Sequence, residues 1–124
     1  TQEQLETEGA AAVPVRQTLA ALEGHENLGE FVIAYEPVWA IGTGQVATPE
    51  VAATVCAKIR AAISETHGEE VAQATRILYG GSVKAANVAG FLRSTEVDGV
   101  LVGGASLDAE EFSGIARFQK HLAL

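Results

Sequence analysis

Three short runs of apolar residues have the length and composition of β-strands. They cover residues 31–35, 76–79 and 97–102, and each is rich in β-branched or aromatic residues and is followed by turn-forming residues. Because polar and apolar positions do not alternate within these runs, the pattern is typical of strands that are covered on both faces, as in a parallel sheet.

Helical patterns lie between and around the three runs. Thr48 and Pro49 mark one helix start as an N-cap and a first-turn proline, and Gly68 marks the end of that helix. The alternation of helices with strands predicts an α/β fold built from parallel βαβ units. Apolar residues at spacings of three and four predict helices over residues 14–22, 49–66, 86–92 and 109–119, and residues 1–6 have the composition of a further helix start.

The composition limits the classes of protein to which the chain can belong. Its 124 residues suit one domain, and a formal net charge of −8 argues against binding to nucleic acid or to an anionic membrane. The single cysteine, Cys56, excludes an internal disulfide and a cysteine-rich zinc site, and we interpret it as a small buried hydrophobic residue. Since the chain opens with no signal segment, the sequence predicts a cytoplasmic location.

Three strands are few for a parallel sheet. The two edges of such a sheet would expose unpaired backbone groups, and the edge strands carry no evident protective charges beyond Arg76 and Asp98. The chain also contains no methionine, even at residue 1. We therefore expect Thr1 to be a processed or truncated start, with further strands supplied by another chain or by the rest of a larger domain.

The candidate chemistry lies where each strand ends. Glycine-rich segments follow the three strands at residues 36–44, 80–83 and 103–107, and none of them contains lysine or arginine. The carboxyl ends of parallel strands meet at one edge of a sheet, where α/β proteins place their sites. Backbone N–H groups of glycines can approach an oxyanion closely, with added attraction where the loop leads into a helix. One glycine pair alone would indicate a tight turn, but three at equivalent ends favour a phosphate site.

A carboxylate and a candidate lid follow the first strand. Glu36 comes directly after the apolar run, where we expect it to be exposed at the mouth of the site and partly desolvated, as suits a general base. An isolated glutamate would more simply be a solvated loop residue. Here Pro37 and Trp39 form a rigid segment, and Gly42 and Gly44 supply pivots, which is the composition of a lid that closes over substrate.

These segments closely resemble the triosephosphate isomerase family. Residues 34–44 (Ala-Tyr-Glu-Pro-Val-Trp-Ala-Ile-Gly-Thr-Gly) resemble its base-and-lid segment, and residues 79–83 (Tyr-Gly-Gly-Ser-Val) and 101–107 (Leu-Val-Gly-Gly-Ala-Ser-Leu) resemble its two phosphate loops. The resemblance runs in the family's order over essentially the whole chain. It implies that residues 1–124 form the C-terminal half of a (β/α)8 TIM barrel, from after strand five to the C-terminus.

The resemblance also implies residue roles. Glu36 is implied as the base that moves a proton between C1 and C2 of dihydroxyacetone phosphate and glyceraldehyde 3-phosphate, through an enediol or enediolate. Residues 37–44 are implied as the lid, which Tyr79 and Ser82 hold when it is closed. The backbone amides implied to bind the substrate phosphate are those of Gly42, Ser82, Gly103 and Gly104, with help from the Ser82 hydroxyl.

The implied partners are a triose phosphate substrate and the missing N-terminal half of the barrel, with a homodimer when the enzyme is complete. No metal, organic cofactor, nucleic acid or membrane is implied. The family's electrophilic lysine and histidine lie upstream, so the isolated chain should be poorly active or inactive. We expect the other candidates, His25, His67, His121 and Lys84, to lie on the surface.

The sequence departs from the family's pattern at one position and leaves two alternative interpretations open. Gln45 stands where the family commonly has lysine, which affects the lid hinge more than the chemistry. The chain could instead be a non-catalytic phosphate-binding half-barrel that self-associates. It could also belong to another phosphate-sugar barrel enzyme, although residues 36–39 disfavour that interpretation.

Overall fold

The computed structural model describes residues 9–25, 27–29, 31–38 and 47–121. In these ranges three parallel strands alternate with helices, which confirms the predicted α/β class. No helix of the described residues is long and apolar enough to cross a bilayer. The elements are α1 (Ala12–Leu22), β1 (Val32–Tyr35), α2 (Pro49–His67), α3 (Glu69–Ala74), β2 (Arg76–Gly81), α4 (Val88–Leu92), β3 (Gly99–Val102), a 3-10 helix (Gly104–Leu107), α5 (Ala109–Ala116) and a second 3-10 helix (Phe118–His121).

The predicted start and end of α2 are both confirmed. The Thr48 hydroxyl accepts a hydrogen bond from the backbone amide of Val51 at 3.1 Å, and Pro49 is the first helical residue. At the other end Gly68 adopts φ +96°, a backbone conformation that side chains disfavour, and its amide donates to the Ser64 carbonyl. Gly68 therefore turns the chain out of α2.

The turn at Gly68 leads at once into α3, which the sequence analysis did not predict. The helix has six residues and buries only Ala72, so it carries too few apolar positions to show a helical period. Other bounds also differ from those predicted: α1 begins at Ala12 rather than residue 14, β2 ends at Gly81 rather than residue 79, and β3 begins at Gly99 rather than residue 97. The α4 helix begins at Val88 rather than residue 86, and α5 ends at Ala116 before the chain tightens into a 3-10 turn. The expected helix start at residues 1–6 lies outside the described residues.

The sheet has the order β1-β2-β3, and both strand pairs are parallel. The register pairs Tyr35 with Tyr79 and Gly81 with Val102. Because the strands run in the same direction, their carboxyl ends meet at one edge of the sheet.

The helices cover one face of this sheet. Ile77 and Tyr79 of β2 pack with Ile59 of α2 and Phe91 of α4 in the buried core. On the opposite face Val32 is 56% exposed and Leu101 is 46% exposed. The expectation that the strands are covered on both faces is therefore wrong for the described chain. Its helices cover one face of the apolar strands and leave the other face exposed.

Cys56 lies in α2 and is fully buried. Burial raises the pKa of its thiol to about 11, although nearby Arg60 opposes the shift. The residue is thus the small buried hydrophobic group that the sequence analysis predicted, and its thiol is held in the neutral form.

A buried arginine at the amino ends of the strands was missed by the sequence analysis. Arg60 of α2 is 7% exposed. Its guanidinium donates to the carboxylates of Asp98 (2.7 Å) and Glu96 (3.3 Å). It also donates to the carbonyl groups of Ala72 (2.7 Å), Thr75 (2.8 Å) and Glu96 (3.3 Å). Asp98 in turn accepts a hydrogen bond from the backbone amide of Ile77 at 2.9 Å. Arg60 therefore ties α2 and the end of α3 to the starts of β2 and β3.

Candidate active site

The edge of the sheet where the strands end carries most of the predicted site residues. Glu36 directly follows β1, and the register places it beside Gly80 of β2. The same register places Ser82, after β2, beside Gly103, after β3. Neighbouring strands lie about 4.8 Å apart, so the three strand ends fall within roughly 10 Å of one another.

The Glu36 side chain lies directly over the backbone of β2. A Cβ atom built on Gly80 would be 2.8 Å from Cγ of Glu36 and 3.4 Å from its Cδ and Oε1 atoms. Glycine at position 80 therefore leaves the space that the Glu36 side chain occupies. Glu36 itself is exposed, as expected.

Gly81, the next residue of β2, is required by the ring of Tyr79. A Cβ atom on Gly81 would overlap the Tyr79 hydroxyl and lie 2.6 Å from Cζ of that ring. The ring has little freedom to move, since Tyr79 is 1% exposed and stacks on Phe91 with ring centroids 4.2 Å apart. Burial also raises the pKa of the Tyr79 phenol. The end of β2 thus has no space for a side chain at either glycine. The Glu36 side chain occupies the space beside Gly80, and the Tyr79 ring occupies the space beside Gly81.

The loop after β2 is organised by a residue that the sequence analysis did not single out. Asn87 donates from Nδ2 to the Ser82 carbonyl at 2.9 Å and accepts from the Lys84 amide at 2.8 Å. Ser82 and Lys84 are both exposed, as predicted for Lys84. An asparagine just before the apolar run 88–92 is a signal that could have drawn attention to this position.

The loop after β3 is the most open of the strand ends. Gly103 and Gly104 are exposed, and a Cβ atom built on either residue would meet nothing within 4 Å. Neighbouring atoms of the described chain therefore do not require glycine here, and the backbone is open to close approach by a ligand. Ser106 holds the turn by donating to the Gly103 carbonyl from its amide (2.9 Å) and its hydroxyl (2.6 Å).

Of the two glycine-rich loops that the structure describes throughout, the loop after β3 leads directly into a helix. The 3-10 helix starts at Gly104, whereas residues 82–87 separate the end of β2 from α4. The remaining predicted site residue, Gly42, lies outside the described residues, as do Trp39, Gly44 and Gln45 of the lid segment.

The histidines of the described chain lie away from the strand ends. His25 is exposed after α1, with its ring centroid 5.1 Å from that of Phe31. His67 is the last residue of α2, and its Nδ1 atom lies 2.8 Å from the Thr66 hydroxyl. His121 ends the last 3-10 helix. His25 is exposed and His67 is partly exposed, which is consistent with their predicted surface positions.

Comparison with known proteins shows which family the chain resembles. The family model described as Triosephosphate isomerase matches residues 1–119. A relative from Leifsonia xyli subsp. xyli, named Triosephosphate isomerase, is 63% identical over 122 residues, which cover 98% of this chain and 47% of the relative. A relative of the same name from Corynebacterium diphtheriae is 58% identical over 104 residues, covering 82% of this chain and 40% of the relative.

The chain spans a little under half the length of these curated relatives. The match to the family model spans residues 1–119 and so includes each of the three segments that follow the strands. The chain belongs to the triosephosphate isomerase family.

Proposed function

We propose that this chain supplies the base, the lid and the phosphate loops of a triosephosphate isomerase. The observation that carries the proposal is the position of the Glu36 side chain, which lies over Gly80 at the edge where all three strands end. This arrangement sets one carboxyl group beside two glycine-rich loops. Such a pairing suits proton transfer on a small substrate that is held by its phosphate group.

Glu36 acts as the proton-transfer group in this proposal. Its carboxylate removes a proton from C1 of dihydroxyacetone phosphate, and the electron pair of the broken C–H bond forms an enediol or enediolate. A proton passes from the oxygen on C1 to the oxygen on C2, and the carboxylic acid returns its proton to C2, so that C1 becomes the aldehyde carbon of glyceraldehyde 3-phosphate. One carboxyl group serves both steps because the two carbons are adjacent and the proton is only moved between them.

The loops hold the phosphate group through backbone amides of Gly42, Ser82, Gly103 and Gly104, with help from the Ser82 hydroxyl. The open backbone at Gly103 and Gly104 supports this role. The chain carries a formal net charge of −8, which opposes the approach of an anionic substrate. Main-chain N–H groups aimed at one point supply local attraction that the overall charge does not.

The remaining parts of the activity depend on more chain than these 124 residues. Residues 37–44 close over the substrate and exclude water from the intermediate, and this family is a standard example of such closure. We place residues 1–124 after strand five of the barrel, so that further strands cover the face exposing Val32 and Leu101. The rest of the barrel also supplies the electrophilic lysine and histidine. The complete protein forms a cytoplasmic homodimer.

The isolated chain should show almost no isomerase activity. We compare it with a completed chimera, in which the chain is joined to the part of the Leifsonia xyli relative that it does not match. Each of the two missing electrophiles lowers the rate about 100-fold or more, so the isolated chain should turn over at least about 10,000-fold more slowly than the chimera. The measurement is a coupled assay for either triose phosphate. Equal turnover by the two proteins would contradict the proposed need for the remaining strands.

Gly80→Ala in the completed chimera should lower kcat about 10-fold to 100-fold. The new methyl group would lie 2.8 Å from Cγ of Glu36 and displace the carboxyl group from its place over β2. The matched control is Gly90→Ala in α4, where the nearest atom to a new Cβ is Cγ of Pro49 at 3.4 Å. The control should leave kcat unchanged. Unchanged kcat in Gly80→Ala would show that the contact with Glu36 does not position the base.

The uncovered face also favours a second candidate, a phosphate-binding half-barrel in which two copies of the chain cover each other. Val32 and Leu101 would then be buried between copies. Sedimentation of the isolated chain would show a stable dimer, and phosphate would raise its melting temperature. A monomer whose melting temperature is indifferent to phosphate would exclude this candidate, and a fully active chimera would favour the isomerase.

A further inference from the structure

The loop after β2 is tied to the helix that follows β3. The backbone amide of Ala85 donates a hydrogen bond to Oε1 of Glu111 in α5 at 2.7 Å. A Cβ atom built on Gly114, one turn further along α5, would lie 2.7 Å from Cβ of Ala85. The loop and the helix are therefore in direct contact, and the contact depends on a carboxylate and on the missing side chain of Gly114.

The sequence around Glu111 predicts a different role for this carboxylate. Asp108 and Glu111 have the three-residue spacing of a capping box, in which each side chain satisfies the other residue's amide. Asp108 makes its half of the capping box, because its Oδ1 atom accepts a hydrogen bond from the Glu111 amide at 2.9 Å. The Asp108 amide instead donates to the Ala105 carbonyl, and the Glu111 carboxylate reaches across to Ala85. The Glu111 carboxylate therefore connects α5 to the loop after β2 and does not cap the start of its own helix.

The two joined loops are those that carry the proposed phosphate amides. Ala85 lies three residues after Ser82, in the loop that Asn87 holds through the Ser82 carbonyl and the Lys84 amide. On the other side of the contact, one short 3-10 helix and the Asp108 cap are all that separate the Gly103–Gly104 loop from Glu111. A hydrogen bond to a carboxylate is stronger than one between neutral groups, so this contact resists separation of the two loops.

We propose that Glu111 is a positioning residue for phosphate, which sets the spacing between the Ser82 loop and the Gly103–Gly104 loop. The proposal rests on the proposed function of these loops. Glu111 does not contact the ligand and acts only through the Ala85 amide. Its removal should weaken phosphate binding because the amides of the two loops no longer converge on one point.

The test measures the affinity of the chain for inorganic phosphate, together with the amide NMR shifts of Ser82 and Gly104 during titration. Glu111→Ala should lower the affinity about tenfold, and phosphate should no longer move both amide signals together. Glu111→Gln keeps an acceptor oxygen and should stay within about twofold of the wild type. Glu110→Ala, an exposed neighbour on the same helix, is the matched control and should leave the affinity unchanged.

A second pair of variants tests the same contact without altering Glu111. Gly114→Ala should push α5 away from Ala85 and weaken phosphate binding, and adding Ala85→Gly should restore the affinity by removing the clash. Melting temperatures are recorded for all variants, and affinities are measured well below the lowest of them. A merely structural role would lower the melting temperature without changing the affinity of the folded chain.

The possible results separate the two proposals. If the wild-type chain binds phosphate and Glu111→Ala binds it equally well, the positioning role is wrong and the proposed function stands. If the wild-type chain produces no phosphate-dependent shift at either amide, the phosphate site and the positioning role both fail. Loss of affinity in Glu111→Ala and Gly114→Ala, with recovery in the Gln and Ala85→Gly variants, supports the proposal.

Discussion

Replacing Glu36 with aspartate in the completed chimera should lower kcat about 100-fold. The change removes one methylene group and withdraws the carboxyl group by about 1 Å from its place over Gly80. KM should change less, because the phosphate loops that hold the substrate are untouched. The measurement is steady-state kinetics in both directions of the reaction.

The control for this substitution is Glu65→Asp. Glu65 is exposed on α2, away from the edge where the strands end, and the same shortening there should leave kcat and KM unchanged. Glu36→Gln, which cannot accept the proton, should be less active still. Wild-type rates in the Glu36→Asp and Glu36→Gln variants would remove Glu36 from the role of base.

Arg60→Ala should lower the free energy of unfolding by about 3–5 kcal/mol. The guanidinium makes five hydrogen bonds at a position that is 7% exposed. Its loss leaves the buried carbonyl groups of Ala72 and Thr75 without the guanidinium donor, and it removes the charged partner of Asp98, which keeps its hydrogen bond from the Ile77 amide. Urea denaturation of the isolated chain, followed by far-ultraviolet circular dichroism, measures the change.

Two further arginine variants test whether the buried hydrogen bonds of Arg60 account for the loss of stability. Arg76→Ala removes an exposed arginine at the start of β2 and should change the free energy of unfolding by less than about 0.5 kcal/mol. Arg60→Lys keeps the charge but not the planar fork of donors, so it should still lose a large part of the stability. A loss below about 1 kcal/mol in Arg60→Ala would mean that the buried network contributes little.

The predicted strands and most helices were found because their signals are local. The strands at β1 and β2 follow from contiguous apolar runs, and α2 follows from Thr48, Pro49 and Gly68, whose capping roles depend on adjacent backbone groups. The α3 helix was missed because six residues with one buried side chain carry no detectable period. The start of α4 was placed two residues early because Asn87 holds the preceding turn through side-chain hydrogen bonds.

The candidate site was predicted in part for the same reason. Glu36 and Gly103 directly follow apolar runs, and Ser82 and Gly104 come within three residues of one. Their places at the strand ends could therefore be inferred from the order of residues alone. Asn87 and Glu111 were missed because their roles depend on backbone amides of a loop whose path the sequence does not reveal.

The order of residues by itself determined the α/β class, the parallel strands, the capping of α2 and the family to which the chain belongs. Only the tertiary structure decided that Arg60 joins residues up to 38 positions away, that Glu111 joins a loop 26 positions away, and that Glu36 lies on Gly80. The physical reason is the separation along the chain between the residues that interact. Periodicity and capping depend on neighbours within one or two turns, whereas these contacts depend on strand register and on which face of the sheet the helices cover.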